Sequence, residues 1–319
     1  MGNRIMLIGE PMGLFIAQDE AKLEDVHQFS SAVAGAEFNV AVGLARLGHT
    51  VGYMTKLGQD PFGRRIVKAM EENKISTSMI AYMNDHATGF MLKGKTSHGD
   101  PDVFYYRKNS AASTISAEDV KGINLSDYGF LHITGILPAL SPLTLEATRY
   151  LMERAKSAGM TVFFDPNLRP RLWHDVPTMV RELNSLACLA DYVLPGSKEG
   201  GVLCGTENPE KIAEFYLLRG VKTVIVKTGP KGAYAATPKG GFRSPTYPAK
   251  KIVDTVGAGD GFAAGVISAV MESLPLEEAV RRGNAIGTIQ VMNVGDNEGL
   301  PTRKELERFM SENRQESAG

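Results

Sequence analysis

The sequence predicts an α/β fold in three layers, with a mainly parallel central sheet covered by helices on both faces and a small β-sheet lid. Three observations carry that prediction. From residue 130 onward, short apolar runs alternate regularly with helix-like segments, the rhythm of a parallel sheet buried on both sides. Two stretches, about 11–33 and 88–107, interrupt the rhythm with strand-like runs and no helix between them, as a lid built from two insertions would. The chain has 319 residues, 43% hydrophobic and 22% charged, an ordinary globular balance with length enough for a large core. No internal repeat or low-complexity linker divides it, so residues 1–319 are expected to form one domain.

The elements follow in order. Arg4-Ile5-Met6-Leu7-Ile8-Gly9 is an apolar run closed by glycine, a buried first strand. Residues 37–47 read as a helix with Gly48 placed to cap it, 51–57 as a strand and 62–72 as a helix. In the lid stretches, Gly89-Phe90-Met91-Leu92 and Val103-Phe104-Tyr105-Tyr106-Arg107 suit a small antiparallel sheet. Strands at 130–134, 161–165, 192–195 and 223–227 are then separated by helices near 143–157, 178–190 and 208–219. Ser141-Pro142 gives the first of those helices an N-cap and a first-turn proline. The polar tail after Ser311 is expected to fray.

Lys and Arg total 35 against 36 Asp and Glu, a net charge of -1, so there is no global basic field to draw the chain to nucleic acid or acidic lipid. The two cysteines, Cys188 and Cys204, sit in apolar, helix-like settings. Two cysteines exclude a disulfide framework and a Cys-rich zinc site, and they read as buried reduced thiols. The longest uncharged apolar stretch, 262–271, is too short to span a bilayer. Met1-Gly2 begins like a myristoylation start, but Met6 stands where Ser or Thr is required. The N-terminus enters a strand-like run without an apolar signal core, so a cytoplasmic protein is expected.

Gly89-Phe90-Met91-Leu92-Lys93-Gly94-Lys95-Thr96 fits the phosphate-loop pattern letter for letter. Its context is wrong: the residues between the glycines are strand-forming, and Ser97-His98-Gly99-Asp100-Pro101 does not start a helix. The segment reads as a lid hairpin, and a P-loop ATPase is the more distant alternative. The chemistry points instead to Asp254-Thr255-Val256-Gly257-Ala258-Gly259-Asp260-Gly261-Phe262-Ala263-Ala264-Gly265. Glycines 257 and 259, just before an apolar helix, let backbone N–H groups turn toward one point, where the helix N-terminus adds partial positive charge. Asp260 falls in the first turn beside that anion hole, able to take a proton from an alcohol while the amides stabilise charge on a transferred phosphoryl group. The plainer reading of these residues is an N-capping Asp with glycines for tight helix packing.

A second glycine-rich segment, Gly35-Ala36-Glu37-Phe38-Asn39-Val40-Ala41 followed by Leu44-Ala45-Arg46-Leu47-Gly48, pairs with the first. With Gly9-Glu10, Gly58-Gln59-Asp60-Pro61-Phe62-Gly63, Asp165-Pro166-Asn167-Leu168-Arg169 and Lys227-Thr228-Gly229-Pro230-Lys231-Gly232, they resemble the ribokinase/PfkB carbohydrate kinase family over nearly the whole chain. The resemblance implies a ribokinase-like α/β/α domain with a β-lid, ATP as donor and Mg²⁺ as helper. It implies Asp260 as the base that activates the sugar hydroxyl and Gly257, Ala258 and Gly259 as the anion hole. Gly35 and Asn39 would line the sugar site, Thr228, Gly229 and Gly232 would meet the nucleotide phosphates, and Asn284 would lie beside the adenine. Glu199 would organise Mg²⁺ through water, although its usual Asn partner three positions earlier is Gly196 here. The 293–299 region resembles the place where relatives hold a monovalent cation. A two-piece lid with exposed strands implies a homodimer or higher homo-oligomer through the lid.

Within the family, the sequence is most similar to 2-keto-3-deoxygluconate kinases. The segments that carry this are Phe104-Tyr105-Tyr106-Arg107-Lys108-Asn109-Ser110-Ala111, Thr134-Gly135-Ile136-Leu137-Pro138-Ala139-Leu140-Ser141 and Asp165-Pro166-Asn167-Leu168-Arg169-Pro170-Arg171-Leu172-Trp173. A sugar acid needs charge-assisted donors, which the planar fork of arginine supplies. By resemblance, Arg107, Arg169 and one of Tyr105 or Tyr106 hold the acid and keto end, and Phe90 occupies a lid position often held by Tyr. The implied reaction transfers the γ-phosphoryl group of ATP to the primary hydroxyl, giving the 6-phosphate. The alternatives are a neutral-sugar kinase of the same family, fructokinase-like, and a non-catalytic sugar or nucleotide sensor.

Overall fold

A computed structural model of the chain describes residues 3–96 and 102–313. Residues 1–2, 97–101 and 314–319 lie outside the described residues. The elements run β1 (Arg4–Ile8), β2 (Met12–Ala17), β3 (Phe29–Ala34), α1 (Ala36–Arg46), β4 (Thr50–Gly58), α2 (Pro61–Glu72), β5 (Ser76–Met83), β6 (Phe90–Lys93) and β7 (Val103–Tyr106). They continue with α3 (Ala117–Lys121), β8 (Phe130–Thr134), α4 (Pro142–Ser157), β9 (Thr161–Asp165), α5 (Val176–Ala187), β10 (Tyr192–Val193), α6 (Ser197–Leu203) and α7 (Pro209–Leu217). The last are β11 (Thr223–Lys227), β12 (Ala233–Thr237), β13 (Gly240–Ser244), α8 (Ala258–Met271), α9 (Leu276–Val291) and α10 (Arg303–Glu312).

Nine strands form the central sheet in the order β13-β12-β11-β10-β9-β8-β1-β4-β5. All its pairings are parallel except β11–β12 and β12–β13. Side-chain alternation builds the three layers. Ile5 and Leu7 of β1 pack into the core under α1, α8 and α9, while Met6 and Ile8 pack into the core under α4, α5 and α7. Phe163 of β9 faces the first core, and its neighbours Val162 and Phe164 face the second. The strands therefore read as continuous apolar runs.

The lid is a four-stranded sheet in the order β3-β2-β6-β7. It is mixed rather than wholly antiparallel, because β2 pairs with β6 in parallel. Both strands leave the same end of the central sheet, β2 after β1 and β6 after β5, so both run outward. The P-loop look-alike is strand β6 of this lid, and Lys95 beyond it donates to the carbonyl of Gln18 (2.8 Å).

Three details differ from expectation. The strand expected at 192–195 is assigned only two residues, and Pro195 has no amide with which to extend it. The helix expected at 178–190 starts earlier, because Asp175 accepts the Thr178 amide (2.6 Å) and caps it. Cys188 and Cys204 are free thiols at the ends of α5 and α6, half-buried rather than buried. Among the described residues no helix is long and apolar enough to cross a membrane.

Candidate active site

The C-terminal ends of β9 and β11 and the N-terminus of α8 meet below the lid, where open parallel sheets form their clefts. Gly257 caps α8 in the left-handed conformation (φ 76°), and a Cβ there would lie 2.1 Å from the carbonyl oxygen of Asp296, so only glycine fits. The first helical bond runs from the Gly261 amide to the Gly257 carbonyl (2.8 Å). The amides of Gly259 and Asp260 precede it and have no acceptor within the helix, as in any first turn. Together with the helix dipole they make a donor-rich mouth.

Asp260 stands at that mouth. Its Oδ2 accepts a hydrogen bond from Asn39 Nδ2 (2.8 Å), and Asn39 Oδ1 in turn accepts from Asn297 Nδ2 (2.8 Å). Burial pushes the Asp260 carboxyl up to about 7, with the Asp165 charge adding to the rise; the Asn39 hydrogen bond, Lys227 and Arg169 pull against it. A carboxylate held near neutrality is tuned for proton transfer.

Two cavities flank this point. The polar one has a volume of about 400 Å³ and lies between the lid and the central sheet. Gly35, Asn39, Tyr105, Arg107, Arg169, Glu199, Gly257, Gly259 and Asp260 all line it. Gly35 is held at φ 138° against the backbone of Glu10 and Pro11, where a side chain has no room. Four cations line the same space, and three are neutralised by ion pairs. Lys93 bridges Asp254 (2.8 Å) and Asp296 (3.4 Å), Arg107 Nε donates to Glu10 (2.6 Å), and Lys227 donates to Asp165 (2.5 Å). Arg169 donates to the carbonyl of Leu168 (2.9 Å) and has no carboxylate partner within ion-pair distance among the described residues.

The second cavity, about 540 Å³, is largely apolar and runs along Tyr247, Pro248, Ile252, Phe262 and Val291. Gly229, Gly232, Ala258 and Asn284 also line it. Thr228 closes the turn before it, its hydroxyl donating to the Gly232 carbonyl (2.8 Å). Asn284 is already engaged, its amide donating to Ser244 and to the Pro245 carbonyl. The two cavities share Lys227, Thr255 and Gly259 as a common wall.

Phe90 and Tyr106 lie elsewhere. They stack on each other with centroids 4.7 Å apart, and Phe90 also stacks on Phe62, outside the polar cavity. The reason is strand parity: Phe90 pairs with Tyr106 and Met91 with Tyr105, and only the second pair faces the cavity. Glu199 keeps its place, but each carboxylate oxygen already accepts a main-chain amide, from Leu168 (2.8 Å) and from Gly196 (2.6 Å). Among the described residues no group of three His, Cys, Asp or Glu side chains could hold a metal. The donors fit an ion that arrives on phosphate oxygens and keeps its water, not a site built wholly of protein ligands. Lys93, Asp165 and Lys227 line the polar cavity without having been singled out for a role. Asp165 and Lys227 end parallel strands, which is the signal that could have found them.

The profile of the pfkB family carbohydrate kinases matches residues 3–303. The chain is 46% identical to 2-dehydro-3-deoxygluconokinase of Bacillus subtilis (strain 168), over 96% of this chain and 95% of that protein. It superposes on a PfkB protein from Polaromonas sp. JS666 with TM-score 0.88 at 44% identity, covering 95% of this chain and 99% of that one. It also superposes, with TM-score 0.88 at 27% identity, on a putative ribokinase II from E. coli in complex with ATP and Mg²⁺, covering 98% of this chain and all (100%) of that one. The three-layer domain with its smaller sheet is thus ribokinase-like. On the family match, the identity to the 2-dehydro-3-deoxygluconokinase and the shared fold together, the chain belongs to the pfkB family of carbohydrate kinases.

Proposed function

We propose that the chain phosphorylates 2-keto-3-deoxygluconate (2-dehydro-3-deoxygluconate) at its primary hydroxyl, using ATP and giving the 6-phosphate. The observation that carries this reading is the shared wall: a polar cavity and an apolar one meet at Gly259, within one residue of Asp260. ATP lies in the apolar cavity with its phosphates toward the α8 N-terminus, and the sugar acid lies under the lid. Asp260 takes the proton from the hydroxyl as that oxygen bonds to the γ-phosphorus. The bond from the γ-phosphorus to the β–γ bridging oxygen breaks, and ADP leaves. The amides around Gly257, Ala258 and Gly259 stabilise the charge on the transferred group. Glu199 would hold the water of a Mg²⁺ ion brought by the nucleotide, and that ion would supply charge neutralisation at the phosphates.

Arg169 supports an acid rather than a neutral sugar, being the lining cation that no carboxylate partner neutralises among the described residues. The name of the 46% identical relative supports the same substrate. Arg107 spends one edge of its fork on Glu10, so its part is to fix the lid wall while Tyr105 and Arg169 meet the substrate. The one domain acts as the whole kinase, and a homodimer through the lid is part of the proposal. Phe104 and Tyr106 leave 57% and 54% of their surface exposed beside the Phe15–Phe62–Phe90 cluster, an apolar face suited to a second copy. A monovalent cation at 293–299 would share Asp296 with Lys93, whose single charge lies against both Asp254 and Asp296.

A panel of keto-sugar acids and neutral sugars with ATP and Mg²⁺, followed by ADP release, tests the reading. The 2-keto-3-deoxy acid is expected to be the best acceptor. A higher kcat/KM for fructose or ribose would overturn the acid assignment.

A further inference from the structure

We propose that Lys227 is a catalytic cation whose ammonium, held by Asp165 in the wall between the two cavities, contacts the phosphoryl group during transfer. The inference rests on the kinase reading above and adds to it a residue with no role so far. Lys227 ends β11, and its backbone is fixed on both sides. Its amide donates to the Pro195 carbonyl (2.8 Å), and its carbonyl accepts from Ser197 Oγ (3.3 Å). Its side chain then leaves the strand toward the cleft, where Nζ donates to Asp165 Oδ2 (2.5 Å).

Three features separate this pair from a structural salt bridge. First, Asp165 is 2% exposed but the Lys227 side chain is 19% exposed, and Lys227 lines both cavities. Second, the ammonium faces the anion hole: a Cβ built on Gly259 would stand 3.7 Å from Nζ, which places Nζ within van der Waals reach of the first turn of α8. Third, the surrounding charge keeps the lysine ionised. Burial works against its charge, but Asp165, Glu199 and Asp260 outweigh it and the pKa is raised. A buried ion pair that served only to hold the fold would gain little over apolar residues of similar volume.

The position also suits the chemistry. Charge grows on the phosphoryl oxygens during transfer, and preorganised positive groups aimed there act most strongly in a site shielded from water. The protein's own metal ligation is thin at this point: Gly196 offers no side chain, and both oxygens of Glu199 already accept amides. A fixed ammonium beside the donor amides supplies positive charge from the protein itself. Asp165 orients it and keeps it from collapsing onto Asp260.

The test compares Lys227→Met with Lys227→Arg in the full-length protein, with Asp260→Asn alongside. Lys227→Met is expected to lower kcat by about 100-fold or more, the effect of losing one transition-state donor, with KM for the sugar acid changed less than about threefold. Lys227→Arg should recover part of that loss. The second readout is binding rather than turnover. Calorimetry with ADP alone and with ADP, fluoroaluminate and sugar acid should give nearly unchanged ADP affinity and a large loss for the phosphoryl mimic. A purely structural lysine would weaken both equally, and that result overturns the proposal, as does a kcat for Lys227→Met within about threefold of wild type. If Lys227→Met does not fold, Lys227→Gln carries the same comparison. If Asp260→Asn is dead while Lys227→Met is active, the lysine assignment fails and the kinase reading stands. If the wild type phosphorylates no sugar or sugar acid, both fail.

Discussion

The two cavities that meet at α8 are opposite in chemistry. One is lined by Lys93, Arg107, Arg169, Lys227, Asp165 and Asp260; the other mainly by Tyr247, Pro248, Ile252, Phe262 and Val291. A charged wall discriminates by leaving wrong partners with unpaired charge, so its residues act individually and strongly. An apolar wall works by area, and each residue contributes a share. The acceptor side should therefore be brittle to single substitutions and the nucleotide side tolerant.

That contrast can be broken or sharpened by substitution. The largest effect is expected from Asp260→Asn, which keeps the shape and removes the base. Turnover should fall about 10²–10⁴-fold while both substrates still bind. Arg169→Ala comes next. Losing a charge-assisted contact worth about 1.5–3 kcal/mol should raise KM for the sugar acid about 10- to 100-fold and leave KM for ATP unchanged. On the apolar side, Ile252→Ala should raise KM for ATP only a few-fold, from the loss of about three carbons of contact at roughly 0.8 kcal/mol per buried methylene, partly recovered because Ile252 is 64% exposed. If Ile252→Ala cost more than Arg169→Ala, the contrast would be wrong. The smallest kinetic effect belongs to the lid's outer face. Phe104→Ser with Tyr106→Ser should shift the protein toward monomer in sedimentation at nearly constant kcat per chain.

Much of this was legible in the sequence because local chemistry fixes it. The α8 N-terminus needs Gly257 at positive φ, and the same glycines that permit that turn announce a helix N-terminus with unpaired amides. The βαβ rhythm gave the parallel sheet, since strands buried on both faces must be apolar throughout. What was missed depends on contacts between distant segments. Glu10 claims Arg107 across 97 residues, and Lys93 reaches Asp254 across 161, pairings that no local pattern reveals. The polar cavity also needs Asn297 behind Asn39, which only the fold brings together. Phe90 and Tyr106 are a different case, because period-two alternation already sets them on the face opposite Tyr105.

The central claim is that Asp260 is the base where the cavities meet, and the pH dependence of kcat/KM for the sugar acid at saturating ATP tests it most directly. A base works unprotonated. With its carboxyl pushed up to about 7 by burial and Asp165, the rate should rise with pH and level off above that value. Because the Asn39 hydrogen bond lowers that carboxyl's pKa, Asn39→Ala should move the rise to higher pH. A wild-type profile that is flat from about pH 6 to about pH 8, or a rise that Asn39→Ala leaves in place, would contradict the account.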